Sequence, residues 1–174
     1  MKWTTVALVA VLGLAAVVAL AALVGTRLPR AHVASRQAMF RVPPDAVWAV
    51  ITAVDAFPSW RSDVTKVERL PDRDGKPVWI EDGASGRMTL AVERMEPPRV
   101  LVLRIADPDL PFGGTWTYEI APHAAGCRLT ITEHGEIYNP LFRVMARFVF
   151  GYDGTIAAYM TALEEKLRAA GGGA

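Results

Sequence analysis

Cysteine is nearly absent. The 174-residue chain has one, Cys127, which excludes an intrachain disulfide and any cysteine-based zinc cluster. Histidine is scarce, with His32, His123 and His134 the only three. No His-x-His, Glu-x-x-His or Cys-x-x-Cys spacing occurs, so no metal site is expected. The Gly-x-Ser-x-Gly elbow of serine hydrolases is missing, since Ser85-Gly86 falls in a turn. Gly113-Gly114 lacks a phosphate-loop pattern and precedes a strand, so it reads as a turn or entrance loop. An excess of either charge is also lacking. Residues 1–25 hold one basic residue, Lys2, and no acid, leaving 18 basic against 18 acidic residues in the remainder. That balance carries no basic footprint for nucleic acid and no acidic tail. No cofactor and no recognisable catalytic set emerge.

Apolar residues are what the chain has in quantity: they make up 52% of it, and the mean hydropathy is +0.22. The excess is concentrated at the N-terminus. Trp3 to Gly25 contains no charge and no proline. As a helix at ~1.5 Å per residue it would reach about 35 Å, enough for the ~30 Å hydrocarbon core. Trp3 stands where an interfacial anchor belongs, and Arg27 and Arg30 follow the run. Ala19-Leu20-Ala21 resembles a small-x-small cleavage site, but the apolar run is longer than the ~7–15 residues of a signal h-region and continues past it. The expectation is an uncleaved, single-pass anchor over residues 1–26, a juxtamembrane linker over 27–32, and a domain over 33–170. Arg27, Arg30, Arg36 and Arg41 outweigh Lys2 and the α-amine, which favours a cytoplasmic domain.

Within the domain, Val33–Val42 has strand character. Pro44 then suits the first position of a helix with Val47, Val50, Ile51 and Val54 on one face. Phe57-Pro58-Ser59-Trp60 breaks that helix, and a second short helix or turn follows. Six strands come next, over 64–70, 78–81, 87–95, 100–106, 115–120 and 127–137. They are separated by turn signals such as Asp72-Arg73-Asp74-Gly75, Asp82-Gly83 and His123–Gly126. Asn139-Pro140 gives a cap and a first position for a last helix running to about Arg168. Leu141, Met145, Phe148, Tyr152, Ile156, Tyr159, Leu163 and Leu167 recur along it at steps of three and four as one apolar stripe. Gly171-Gly172-Gly173-Ala174 is expected to fray. The predicted fold class is α+β: a seven-stranded curved antiparallel sheet wrapped around a long C-terminal helix, with two short helices between strands 1 and 2. The helix stripe needs an apolar partner, and the concave face of a twisted sheet supplies it. A cleft between them is the default ligand site.

This order resembles the START-like helix-grip superfamily (SRPBCC), and within it the polyketide cyclase/dehydrase and lipid-transport branch. The resemblance runs from about Val33 to Leu167. It is carried by PPDAVWAVITAVDAFPSWRSDVTKVE, MEPPRVLVLRI, GGTWTYEIAP and CRLTITEHGEIYNPLFRVMARFVFG. These patterns are specific for fold and poor for function. The resemblance implies a hydrophobic cavity for lipids, polyketides, quinones or hormones. It implies no catalytic residue, because the superfamily has no universal catalytic motif. The functional expectation is a membrane-anchored binding or transfer module for a lipid-like molecule, with a cyclase/dehydrase-type enzyme as the alternative.

Candidate ligand contacts follow from strand parity and the helix stripe: Met88, Leu90, Trp116, Tyr118, Met145, Phe148, Tyr152 and Tyr159, with Trp48 and Trp60 at the rim. A filled core is the plainer reading of such a stripe. Glu133 shares parity with Leu129 and Ile131, so its carboxylate should point inward, where burial raises a pKa unless a partner opposes it. It would orient a ligand hydroxyl, act as a general acid, or pair with an arginine such as Arg87 or Arg104. His134 faces the other way, which makes a dyad of adjacent residues unfavourable. His32 and His123, in a linker and a turn, should be solvated. Glu81 shares parity with Trp79, but Val78 and Ile80 are equally good as the inner pair. Gly151 and Gly154 inside the last helix cost about 1 kcal/mol each relative to alanine; they mark a close backbone approach or a flexible point. Phe142, Val149 and Phe150 flank the stripe and widen the core face or present an apolar patch.

Overall fold

The computed structural model describes residues 2–171; Gly172, Gly173 and Ala174, and the Phe150 side chain, lie outside the described residues. The chain opens with helix α1 (Lys2–Arg27), followed by β1 (Ala31–Phe40), α2 (Pro44–Thr52) and a 3-10 turn over Val54–Ser59. Six strands succeed one another: β2 (Val64–Arg73), β3 (Lys76–Gly83), β4 (Gly86–Glu96), β5 (Val100–Ile105), β6 (Phe112–His123) and β7 (Gly126–Ile137). α3 (Pro140–Met145) continues into a π-helical turn over Ala146–Phe150, and α4 (Gly154–Gly171) closes the chain.

The seven strands form one antiparallel sheet in the order β1-β7-β6-β5-β4-β3-β2. β2 to β7 are a meander, and β1 adds to β7 at the edge, from Ala31 opposite Glu136 to Phe40 opposite Cys127. At the β2–β3 turn Asp74 and Gly75 have φ of 52° and 70°, the paired positive values that match strand twist in a two-residue hairpin. The next hairpin turns after Gly83 rather than at it. Gly83 is held in β3 because its backbone passes against Asp63, where a Cβ would come within 1.9 Å of the carbonyl oxygen. Gly113-Gly114 likewise lies inside β6, not in a turn. Gly114 stands opposite Gly135, with φ of 128° and no room for a Cβ beside the His134 carbonyl.

One core fills the concave side of the sheet. Val47 and Ile51 of α2, Leu90 and Val92 of β4, Leu101 and Leu103 of β5, and Leu129 and Ile131 of β7 pack against Ile156, Tyr159, Leu163 and Leu167 of α4. The helix grip therefore exists, but α4 alone makes it. The single rod expected over 140–168 is broken. Gly151 sits at φ 74°, ψ 177°, a conformation open essentially to glycine alone. A Cβ there would meet only Asp153, and one at Gly154 would meet nothing within 4 Å. Neither glycine serves a close approach to the sheet; Gly151 ends one helix before α4 begins. The Asn139 side chain caps α3 as the sequence indicated, accepting from Leu141 N at 2.9 Å.

α1 projects from the domain. It is the one described helix long and apolar enough to cross a membrane. Its last turns pack on α3.

Candidate functional site

The concave interior is aromatic. Tyr159 of α4 is its hub: ring centroids of Trp60, Tyr118 and Trp116 lie 5.5, 5.7 and 6.0 Å away in edge-to-face arrangements. Strand alternation brings Trp116 and Tyr118 to this face together, and the 3-10 turn presents Phe57 and Trp60 from the side. Burial pushes the hydroxyl pKa values of Tyr118 and Tyr159 above the ordinary phenol value. The space beneath α4 is thus occupied by ring contacts.

Arg61 enters this cluster with its guanidinium carbon 5.0 Å from the Phe57 centroid and 5.3 Å from that of Tyr159. Its Nη1 lies 3.1 Å from a carboxylate oxygen of Glu81 and its Nη2 2.6 Å from Asp63. The Trp79 indole donates to Glu81 at 3.0 Å. Burial works against the Arg61 charge, but Asp63 and Glu81 outweigh it and hold its pKa above the usual guanidinium value. The parity of β3 is thereby resolved: Trp79 and Glu81 face inward, and Val78 and Ile80 lie on the other face, though they too are buried.

A second polar group stands near the helix break. Glu133 lies opposite Trp116 on β6 and opposite Ala34 on β1. Desolvation raises its carboxyl to about 7, against an opposing hydrogen bond from Trp116. Neither Arg87 nor Arg104 reaches it; these pair with Glu68 and Asp82, and with Glu93. Its neighbour is His32, whose Nε2 is 3.6 Å from Glu133 Oε1. The expectation of a solvated linker histidine is wrong, because β1 begins at Ala31 and carries His32 into the ladder opposite Gly135. Gly135 makes room for it: a Cβ there would lie 2.3 Å from the imidazole. The ring stacks on Tyr152 at 4.3 Å, and burial lowers its pKa, favouring the neutral form. Sequence reasoning missed His32 because strand pairing, not sequence spacing, puts it beside Glu133.

Among the described residues, His32 Nδ1 and Trp60 Nε1 are buried without a protein hydrogen-bond partner, as is Arg143 Nε beside α1. Leaving such a group unsatisfied costs about 1–3 kcal/mol. Neutral His32, Glu133 and the Trp60 N–H can donate to and accept from a guest hydroxyl or carbonyl, amid aromatic walls that suit an apolar body.

Leu90, Tyr118 and Tyr159 lie in the core, and Trp48, Trp60, Met88, Trp116 and Tyr152, all partly buried, pack against it. Met145 and Phe148 are not. Both are exposed, Phe148 by 67%, because the break at Gly151 separates their helix from the one that grips the sheet. An open concavity of about 430 Å³ lies on the other face of the sheet, lined by Arg73, Asp74, Lys76, Glu93 and Arg104 among others. A small one of about 30 Å³ lies beside α2, against Ile51, Trp79 and Leu101.

Residues 31–168 match the model of the family described as polyketide cyclase / dehydrase and lipid transport. No curated protein matches the chain. Among solved structures, a START superfamily protein from Mycobacterium smegmatis is 16% identical with a TM-score of 0.65, covering 79% of this chain and 97% of its own. An aromatase/cyclase from a Streptomyces species is 17% identical at 0.62, covering 79% and 94%. Norcoclaurine synthase from Thalictrum flavum is 11% identical at 0.62, covering 79% and 86%. At these identities the likenesses establish the helix-grip fold.

Proposed function

We propose, from the premise that this chain belongs to the polyketide cyclase/dehydrase and lipid-transport family, that it is a tethered binding or transfer module. Its ligand is a hydrophobic, lipid-like molecule carrying at least one hydroxyl or carbonyl. The observation that carries this reading is Glu133. It is an inward carboxylate that no arginine among the described residues neutralises, beside His32, whose Nδ1 is buried without a partner, in an otherwise aromatic interior. A domain optimised only for packing gains nothing from such groups, since unpaired buried polar atoms are destabilising. The ligand's polar end meets Glu133 and His32; its apolar body replaces ring-to-ring contacts around Tyr159. α1 supports the tether by its length and composition. Native mass spectrometry of the full chain in detergent tests this. A retained apolar molecule that is lost or weakened in Glu133→Gln is expected, and uptake of no apolar molecule by the intact protein overturns it.

One observation favours a second reading, an enzyme acting on a polyketide-like or other apolar substrate. A carboxyl with a pKa of about 7 is poised to give or take a proton near neutral pH, the range general acids and bases occupy. Turnover of an identified ligand that vanishes in Glu133→Gln while binding persists would select it.

A further inference from the structure

The last turn of α1 packs on α3, and one side chain ties its carbonyls there. Helix C-termini leave carbonyls without intrahelical partners, and cations favour that end. Arg143 of α3 fills the role: its Nη1 donates to Gly25 O at 2.8 Å and Leu28 O at 3.1 Å, and its Nη2 to Tyr138 O at 3.0 Å. The side chain is 5% exposed, unusual for an arginine. Gly25 permits the approach, since a Cβ there would stand 2.0 Å from the Pro140 carbonyl oxygen.

Beside this clasp lies an apolar surface that none of the described elements covers. Phe142, Met145, Phe148 and Val149 are exposed by 48, 39, 67 and 62%. Leu23 and Val24, at the end of α1 that packs on α3, are exposed as well. The surrounding charge has one dominant sign. Residues 1–44 contain no acid, nor do residues 138–152, while Arg27, Arg30 and Arg147 are exposed at this end. The nearby Glu136 accepts from the Tyr138 hydroxyl. Exposed aromatics rimmed by arginine are the composition of an element lying in a lipid headgroup layer, and basic residues near an anionic surface are drawn to it.

We propose that residues 142–149 are a second membrane-contacting element, seated in the headgroup region of an anionic bilayer beside α1 and held there by Arg143. The inference rests on the reading of α1 as a membrane span. Its consequence is a source for the ligand. Tyr152, stacked on His32, follows the lipid-facing Phe148 by four residues, across the Gly151 break. The proposed lipid-facing segment is thus joined through the chain to the Glu133 end of the interior.

The test uses the full chain in vesicles of phosphatidylcholine and phosphatidylglycerol, with an environment-sensitive fluorophore on Phe148→Cys, on Leu14→Cys, or on Ala124→Cys in the turn between β6 and β7. Cys127 is fully buried and stays unlabelled. Quenching by lipids brominated on their acyl chains is expected at positions 148 and 14 and not at 124. Arg143→Ala should reduce quenching at 148 and leave it unchanged at 14. No quenching at 148 beside strong quenching at 14 overturns the proposal and leaves the anchor standing. No quenching at 14 removes both. Undiminished quenching at 148 in Arg143→Ala removes the clasp's role.

Discussion

Arg61 Nη1 lies 3.1 Å from Glu81 Oε2, and both side chains are withdrawn from solvent beneath the aromatic cluster. Breaking a buried pair by removing one partner is costly because the remaining charge stays desolvated, typically by about 3–5 kcal/mol. Arg61→Leu leaves Glu81 with only the Trp79 indole, so a loss of about 3 kcal/mol in unfolding free energy is expected. Glu81→Gln should cost less, since Asp63 still pairs with Arg61. Denaturant titration of the two variants checks the order.

Glu133 titrates at about 7 in the fold, against 4.5 for an ordinary glutamate. Between those values the folded state binds more protons than the unfolded one, so stability falls as pH rises from 4.5 to 7 and then levels off. At ~1.4 kcal/mol per pKa unit the full effect is of order 3 kcal/mol. His32, with its lowered pKa, acts in the opposite sense below its ordinary value of 6.5. The contrast is therefore read between the parent chain and Glu133→Gln at each pH. The variant should gain relative stability on going from pH 5 to pH 8, measured by thermal unfolding.

Gly135→Ala should act on the site through His32. Its new methyl would overlap the imidazole, which sits 2.3 Å from the ideal Cβ position. The ring must leave its stack on Tyr152. Ligand retention should fall as it does in Glu133→Gln, while far-ultraviolet circular dichroism stays that of the parent. Unaltered retention would show that His32 does not contribute.

Gly151→Val forces a β-branched residue into a conformation reserved for glycine, at a cost of about 1–3 kcal/mol. Its expected outcome is a lowered melting temperature together with faster amide exchange across residues 146–156, where the two helices meet.

The meander was readable because most of its strands bury one face. Met88, Leu90 and Val92 alternate cleanly, as do Trp116, Tyr118 and Ile120. The strand β3 was readable too, but not its inward face, because both faces are buried: Trp79 and Glu81 on one side, Val78 and Ile80 on the other, which erases the period-two contrast. The helix break was hidden for a related reason. Phe148 and Tyr152 keep a spacing of four across Gly151, so the apolar stripe continues where the backbone does not. The available signal was the cluster Gly151, Asp153, Gly154, a composition that punctuates chains. The pairing of His32 with Glu133 had no sequence signal, because it depends on β1 joining β7 across a hundred residues.

The most direct test is photolabelling of the full chain in membranes with a diazirine-bearing fatty alcohol, followed by peptide mapping. The proposed function predicts adducts on peptides carrying Trp60, Trp116 and Tyr159, diminished in Glu133→Gln. Adducts confined to α1 and residues 142–149, with the concave interior unlabelled, would contradict it.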